Sequence, residues 1–163
     1  MKLIGAMLLL SACVCGGCYV AGLLDRRVKI LQTLIQLTDA IMTELQSRLP
    51  YISELLPELA NRPAFSGLCF LRDAAADAAQ FPESWNTAVQ QDGTLCDEAK
   101  AILTTVGQTL GSTTIDGQLS ALRLCEKRFT ALHAEAAEYA RQKGTLCRSF
   151  GFLGGIFLVI LLL

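Results

Sequence analysis

The stretch LIGAMLLLSACVCGGCYVAGLL, residues 3–24, runs without interruption into DRRVKILQTLIQLTDAIMTELQSRL, residues 25–49. The first part carries no charge. In the second, Val28, Leu31, Leu34, Ile35, Thr38, Ile41, Leu45 and Leu49 recur at helical spacing, with charged and amide side chains between them. No Gly or Pro falls within residues 25–49, so one helix is predicted to pass from an all-apolar part into an amphipathic part, with Pro50 ending it. Residues 3–24 at 1.5 Å per residue make about 33 Å of helix, enough to cross a hydrocarbon core of about 30 Å. Arg26, Arg27 and Lys29 follow at once and favour the cytoplasmic side.

The other end mirrors this one. Residues 118–146 place Leu119, Leu122, Cys125, Phe129, Leu132, Ala136 and Tyr139 on one helical face, and residues 150–163, FGFLGGIFLVILLL, continue without charge. This tail makes only about 21 Å of helix, and it reaches further if residues 145–147 are immersed and Arg148 snorkels to the headgroups. Arg141, Lys143 and Arg148 precede it, a bias that agrees with the first segment. The expectation is an all-α, membrane-anchored bundle with three parts. Residues 3–24 form a transmembrane helix, 25–149 a cytoplasmic helical domain and 150–163 a C-terminal membrane segment. Two long antiparallel helices are rooted in the bilayer, and both termini lie on the far side. Gly17 and Ala21 face Gly151 and Gly155 as small residues through which the two membrane helices touch.

Between the long helices, breakers mark short ones. Arg62-Pro63, Phe81-Pro82 and Asp92-Gly93 separate a helix capped by Ser53, an Ala-rich segment over 65–79, residues 83–90 with the single Trp85, and residues 96–110. Gly111 opens a turn, and Asp116-Gly117 is read as part of the same break.

Composition narrows the functions. The chain is 52% hydrophobic with 14 basic and 15 acidic residues, and of all these charges only Lys2 lies outside residues 25–148. The middle is slightly acidic, which leaves no basic surface to follow a run of phosphates and excludes nucleic acid as the expected partner. Seven cysteines, an odd number and widely spaced in the middle, read as reduced thiols packed as small hydrophobes.

Chemistry is hard to find. His133 is the single histidine and has no second imidazole to share a metal with. Cys15 and Cys18 form a C-x-x-C inside the apolar run and are read as small packing residues. Asp73 with Asp77, and Glu135 with Glu138, share helical faces and read as solvated carboxylates. No phosphate loop or nucleophile elbow is present. Neither a catalytic residue nor a cofactor is expected, and the protein is not expected to be an enzyme. The candidate partner interface is the glycine-marked segment of Leu110, Gly111 and Gln118, with Trp85 read either as a core residue or as an anchor. A second reading also stands open. Leu10-Ser11-Ala12-Cys13 fits a lipoprotein cleavage box, which would make the chain an exported binding module anchored through Cys13.

Lys2-Leu-Ile-Gly5, the pair Arg26-Arg27, Leu110-Gly111 with Gln118 seven residues on, and Phe150-Gly-Phe-Leu-Gly-Gly-Ile together resemble the stage III sporulation protein AB family. The likeness covers essentially the whole chain. In place of the family's Ser-Asp after Leu-Gly it carries Thr113-Thr114, so no role passes to an acidic side chain there. The resemblance implies a subunit of a secretion-like channel between mother cell and forespore, on the mother-cell side of the forespore membrane. The family is similar to the inner-membrane platform proteins of type II secretion and type IV pilus systems. Implied partners are a cytoplasmic ATPase and other membrane subunits of the channel; whether copies of the chain also form a homo-oligomer is left open by the sequence.

Overall fold

A computed structural model describes the backbone of residues 2–48, 51–111 and 114–162, and the side chains of Tyr19 and of residues 22–48, 51–111 and 114–143. Six α-helices follow one another: α1 (Lys2–Ser47), α2 (Ile52–Ala60), α3 (Cys69–Ala76), α4 (Glu83–Gln91), α5 (Asp97–Thr109) and α6 (Ile115–Leu162). Two 3₁₀ turns, Pro63–Phe65 and Ala78–Gln80, flank α3, and no strand occurs among the described residues. The expected all-α class is therefore the observed one. The absence of a breaker in residues 25–49 appears in the structure as one continuous α1.

The chain divides into two compact units. One comprises residues 29–133; the other joins residues 1–28 with 134–163. α1 thus starts in the second unit and ends in the first, and α6 makes the return journey.

Within residues 29–133 the interior is built from six helices. Leu31, Leu34, Leu37, Thr38, Ile41, Met42 and Leu45 of α1 are buried, a stripe wider than the one read from spacing because Leu37 and Met42 join it. Apolar residues at i, i+3 and i+4 make such a face whenever a helix is covered on more than one side. α2 packs on α3, α3 on α4 and α4 on α5, so the four short helices form a chain of neighbours. Leu122, Cys125 and Phe129 of α6 complete the interior.

Two local expectations, the Ser53 cap and the Asp116-Gly117 break, are corrected. Ser53 does not cap α2: the helix starts one residue earlier, after Tyr51, which makes no side-chain cap. Pro57 stands past the first turn of α2, yet the helix continues to Ala60, held by the buried Leu55, Leu56 and Leu59. Asp116-Gly117 is not a break but the first turn of α6. An acidic residue is favourable there beside the unpaired N–H groups, and a glycine costs least at a helix end.

Among the described residues no helix is long and apolar enough to cross a membrane. The backbones of residues 3–24 and 150–162 are helical. Nearly all side chains of the two spans lie outside the described residues, as do Cys13, Cys15, Cys18 and the proposed contact of Gly17 and Ala21 with Gly151 and Gly155.

Candidate functional site

The candidate site is assembled around α5 and the connection that follows it. Trp85 of α4 is fully buried, at 0% exposure. Its indole N–H donates to the carbonyl oxygen of Leu103 at 2.8 Å, and its ring meets Phe70 edge-on with centroids 5.3 Å apart. Phe81 approaches a second edge at 6.2 Å. Gly107, one turn beyond Leu103, lets the indole lie directly on the α5 backbone. A Cβ at Gly107 would stand 2.4 Å from Cδ1 and 2.9 Å from Nε1. Of the two readings of Trp85, the structure fits the core residue. As a partner anchor it is corrected, because every face of the ring is occupied from within the domain.

Leu110 ends α5 with its N–H on the Val106 carbonyl, and only 4% of its surface is exposed. Its φ of −62° and ψ of 123° are extended, and Gly111 follows with φ +78°, in the left-handed region. Only glycine adopts that region at no steric cost. A Cβ at Gly111 would also stand 2.9 Å from Cδ1 of Ile52. Gln118 is buried on α6. Of the four residues assigned to a partner surface, Trp85, Leu110 and Gln118 are therefore interior, and Gly111 alone is exposed.

The structure adds what the spacing did not reveal. Because Gly111 abuts Ile52, the α5–α6 connection lies against the start of α2. Tyr51, 79% exposed, precedes Ile52, and Ile115, 44% exposed, opens α6. Large apolar side chains left in water at two adjoining connections are the usual sign of a contact surface. The signal available in the sequence was their position, since each is an apolar residue beside a breaker rather than on a helical stripe.

Asp92, read as part of a breaker, has a structural task. Its Oδ2 accepts the backbone N–H of Phe70 at 3.2 Å, and its Oδ1 accepts the N–H and hydroxyl of Thr94 at 2.8 and 2.6 Å. Phe70 stands in the first turn of α3, whose neighbouring Leu68 supplies no side-chain cap, so a carboxylate 22 residues away caps the helix. Arg62 holds Glu44 of α1 and Glu58 of α2 together, and these carboxylates raise its already high pKa.

Asp73 and Asp77 do share a face, and with Gln80, Glu83, Ser84, Thr87, Ala88 and Gln91 they line an open polar groove of about 330 Å³. Among the described residues no group of three His, Cys, Asp or Glu is placed to hold a metal ion. His133 is half-buried on α6. Burial pushes the Cys125 thiol above its ordinary range, an effect partly opposed by Arg128. Tyr139, expected on the buried face of α6, is instead 55% exposed and carries the Lys143 ammonium over its ring at 5.8 Å.

The family model described as stage III sporulation protein AB matches residues 2–163. This chain belongs to that family. The match spans the domain, the turn at Gly111 and both apolar segments alike, and it gives the protein a sporulation-related role. The stage III sporulation protein AB family is not known as an enzyme family. Neither the curated proteins nor the solved structures contain a match to the chain.

Proposed function

We propose that the protein is a non-catalytic platform subunit of a secretion-like sporulation channel, held in the membrane by the outer parts of α1 and α6. Residues 29–133 face the cytoplasm and couple a companion ATPase to the membrane components. The observation that carries this reading is the family match over residues 2–163, taken with two apolar segments that are each continuous with a long helix of the domain. A force applied to the domain would pass along unbroken helices into the bilayer, because each helix is one hydrogen-bonded rod.

The contact with the ATPase is assigned to the exposed edge formed by Tyr51, Gly111 and Ile115. The turn is held rigid by the buried Leu110 below it, and a rigid apolar edge loses little entropy on binding. Photo-crosslinking in sporulating cells tests this. With benzoylphenylalanine replacing Tyr51 or Ile115 in the full chain, an ATPase adduct is expected from both positions and not from Asp73. If neither position yields an ATPase adduct while the chain is present in the membrane fraction, the coupling role fails.

A further inference from the structure

The charges of the chain are sorted along it. Residues 29–140 carry 8 basic and 14 acidic side chains, a net −6, while residues 25–27 and 141–148 carry 5 basic and 1 acidic, a net +4. Both basic segments belong to the same compact unit, residues 1–28 with 134–163, and both adjoin an apolar segment. Arg26, Arg27, Arg141 and Lys143 are exposed. Spacing around α6 turns Arg141 and Lys143 to opposite sides of the helix.

The acidic groups of this unit are Asp25, Glu135 and Glu138. Glu138 accepts from Gln142 at 2.8 Å and stands 3.6 Å from Arg141, a loose and exposed pair that a phosphate can displace. Tyr139 and Tyr19, 55% and 71% exposed, belong to the same unit, and Tyr139 is one turn from Lys143. Tyrosines with a wet hydroxyl and an apolar ring concentrate at headgroup level. The interior does not use Tyr139, and an interfacial role accounts for its exposure.

We propose that Arg26, Arg27, Arg141 and Lys143 form a site for the phosphate of an anionic phospholipid at the membrane surface. Guanidinium groups pair with phosphate through two parallel hydrogen bonds, and a neutral zwitterionic headgroup offers them a weaker net field. The same anionic surface repels the acidic residues of 29–133. Lipid charge therefore favours seating these cations at the surface and disfavours adhesion of residues 29–133. The site rests on the membrane anchoring proposed above.

The test uses the full chain reconstituted in phosphatidylcholine vesicles containing a trace of spin-labelled phosphatidylglycerol or spin-labelled phosphatidylcholine. The immobilised fraction of each label measures its affinity for the protein. A preference for phosphatidylglycerol of about threefold or more is expected at low salt, since each cation near such a surface contributes severalfold to binding. It should shrink toward unity in the R26Q/R27Q/R141Q/K143Q variant, whose helicity is checked by circular dichroism. In the native chain the preference should fall as sodium chloride rises, because screening shortens with ionic strength. Equal immobilisation of both labels by a vesicle-embedded native chain overturns the lipid site and leaves the anchoring intact. A chain that stays in the aqueous fraction sinks the anchoring itself. Loss of the preference in millimolar inorganic phosphate, at matched ionic strength, would assign the cations to a free anion and overturn the lipid assignment.

Discussion

Gly107 of α5 lies beneath the indole of Trp85, closer than any other residue type permits. The added methyl of Gly107→Ala would meet Cδ1 at 2.4 Å, and the ring cannot retreat, because its N–H is fixed to Leu103 and its edges meet Phe70 and Phe81. Alanine is worth about 1 kcal/mol over glycine in an exposed helix interior, so the two effects oppose each other. Overpacking of a filled core costs typically about 1–3 kcal/mol. Gly107→Ala is therefore expected to lower stability by about 1–2 kcal/mol where propensity alone would raise it. Denaturant unfolding in detergent, followed by the emission of the single tryptophan, measures this directly; a stabilised variant would mean that α4 and α5 are not docked in this way.

The capping of α3 by Asp92 gives a second expectation. Removing the carboxylate strands the Phe70 N–H inside the domain and frees Thr94 from both of its bonds. Asp92→Ala should cost about 1–3 kcal/mol, the range for leaving buried donors unpaired. Asp92→Asn keeps one acceptor oxygen but loses the charge near the helix start, and it should fall between the wild type and alanine. Hydrogen exchange at the Phe70 amide reports the site itself: it should quicken in Asp92→Ala by more than global destabilisation accounts for.

Gly111 carries a third. At φ +78°, a residue with a Cβ pays steric strain of about 1–2 kcal/mol, and the contact with Ile52 adds to it. Gly111→Ala should destabilise by more than about 1–2 kcal/mol, and Gly111→Asn by less on the backbone account, since asparagine tolerates this region best after glycine. Pairing Gly111→Ala with Ile52→Val separates the two causes. The double variant should recover the part due to the Ile52 contact and not the part due to φ.

The particulars show which features were legible in the sequence. The long helices and the breaks between the short ones follow from local rules, because periodicity and proline act within a few residues. Of the eight residues placed on the stripe of α1 for that reason, Leu31, Leu34, Thr38, Ile41 and Leu45 are interior, Val28 and Ile35 are half-buried, and Leu49 lies outside the described residues. Gly111 was legible as a turn because a glycine after a helical run is a local signal. The roles of Gly107 and Asp92 were not, since each depends on a partner about 22 residues away in another helix: Trp85 for the first, Phe70 for the second. The candidate interface shifted for the same reason. Apolar side chains beside a turn can point inward or outward, and only packing sends Leu110 in and leaves Tyr51 and Ile115 out.

Cys125 yields a prediction about pH. Its thiol is buried between Leu122 and Phe129 on the inner stripe of α6, and desolvation raises its pKa in the folded protein above the ordinary value of 9.0. The unfolded chain releases this proton near pH 9 while the folded chain keeps it. Stability is therefore full below about pH 9 and declines as pH rises from there through the folded value, because the unfolded state then binds fewer protons. Cys125→Ala should remove this alkaline decline while lowering stability at neutral pH through the lost packing. Thiol chemistry provides the check. At pH 8 a maleimide should label the exposed Cys69 quickly and Cys125 only through transient opening of the domain. Labelling of Cys125 as fast as Cys69 would place Cys125 in contact with solvent and contradict the packing of α6 against the interior.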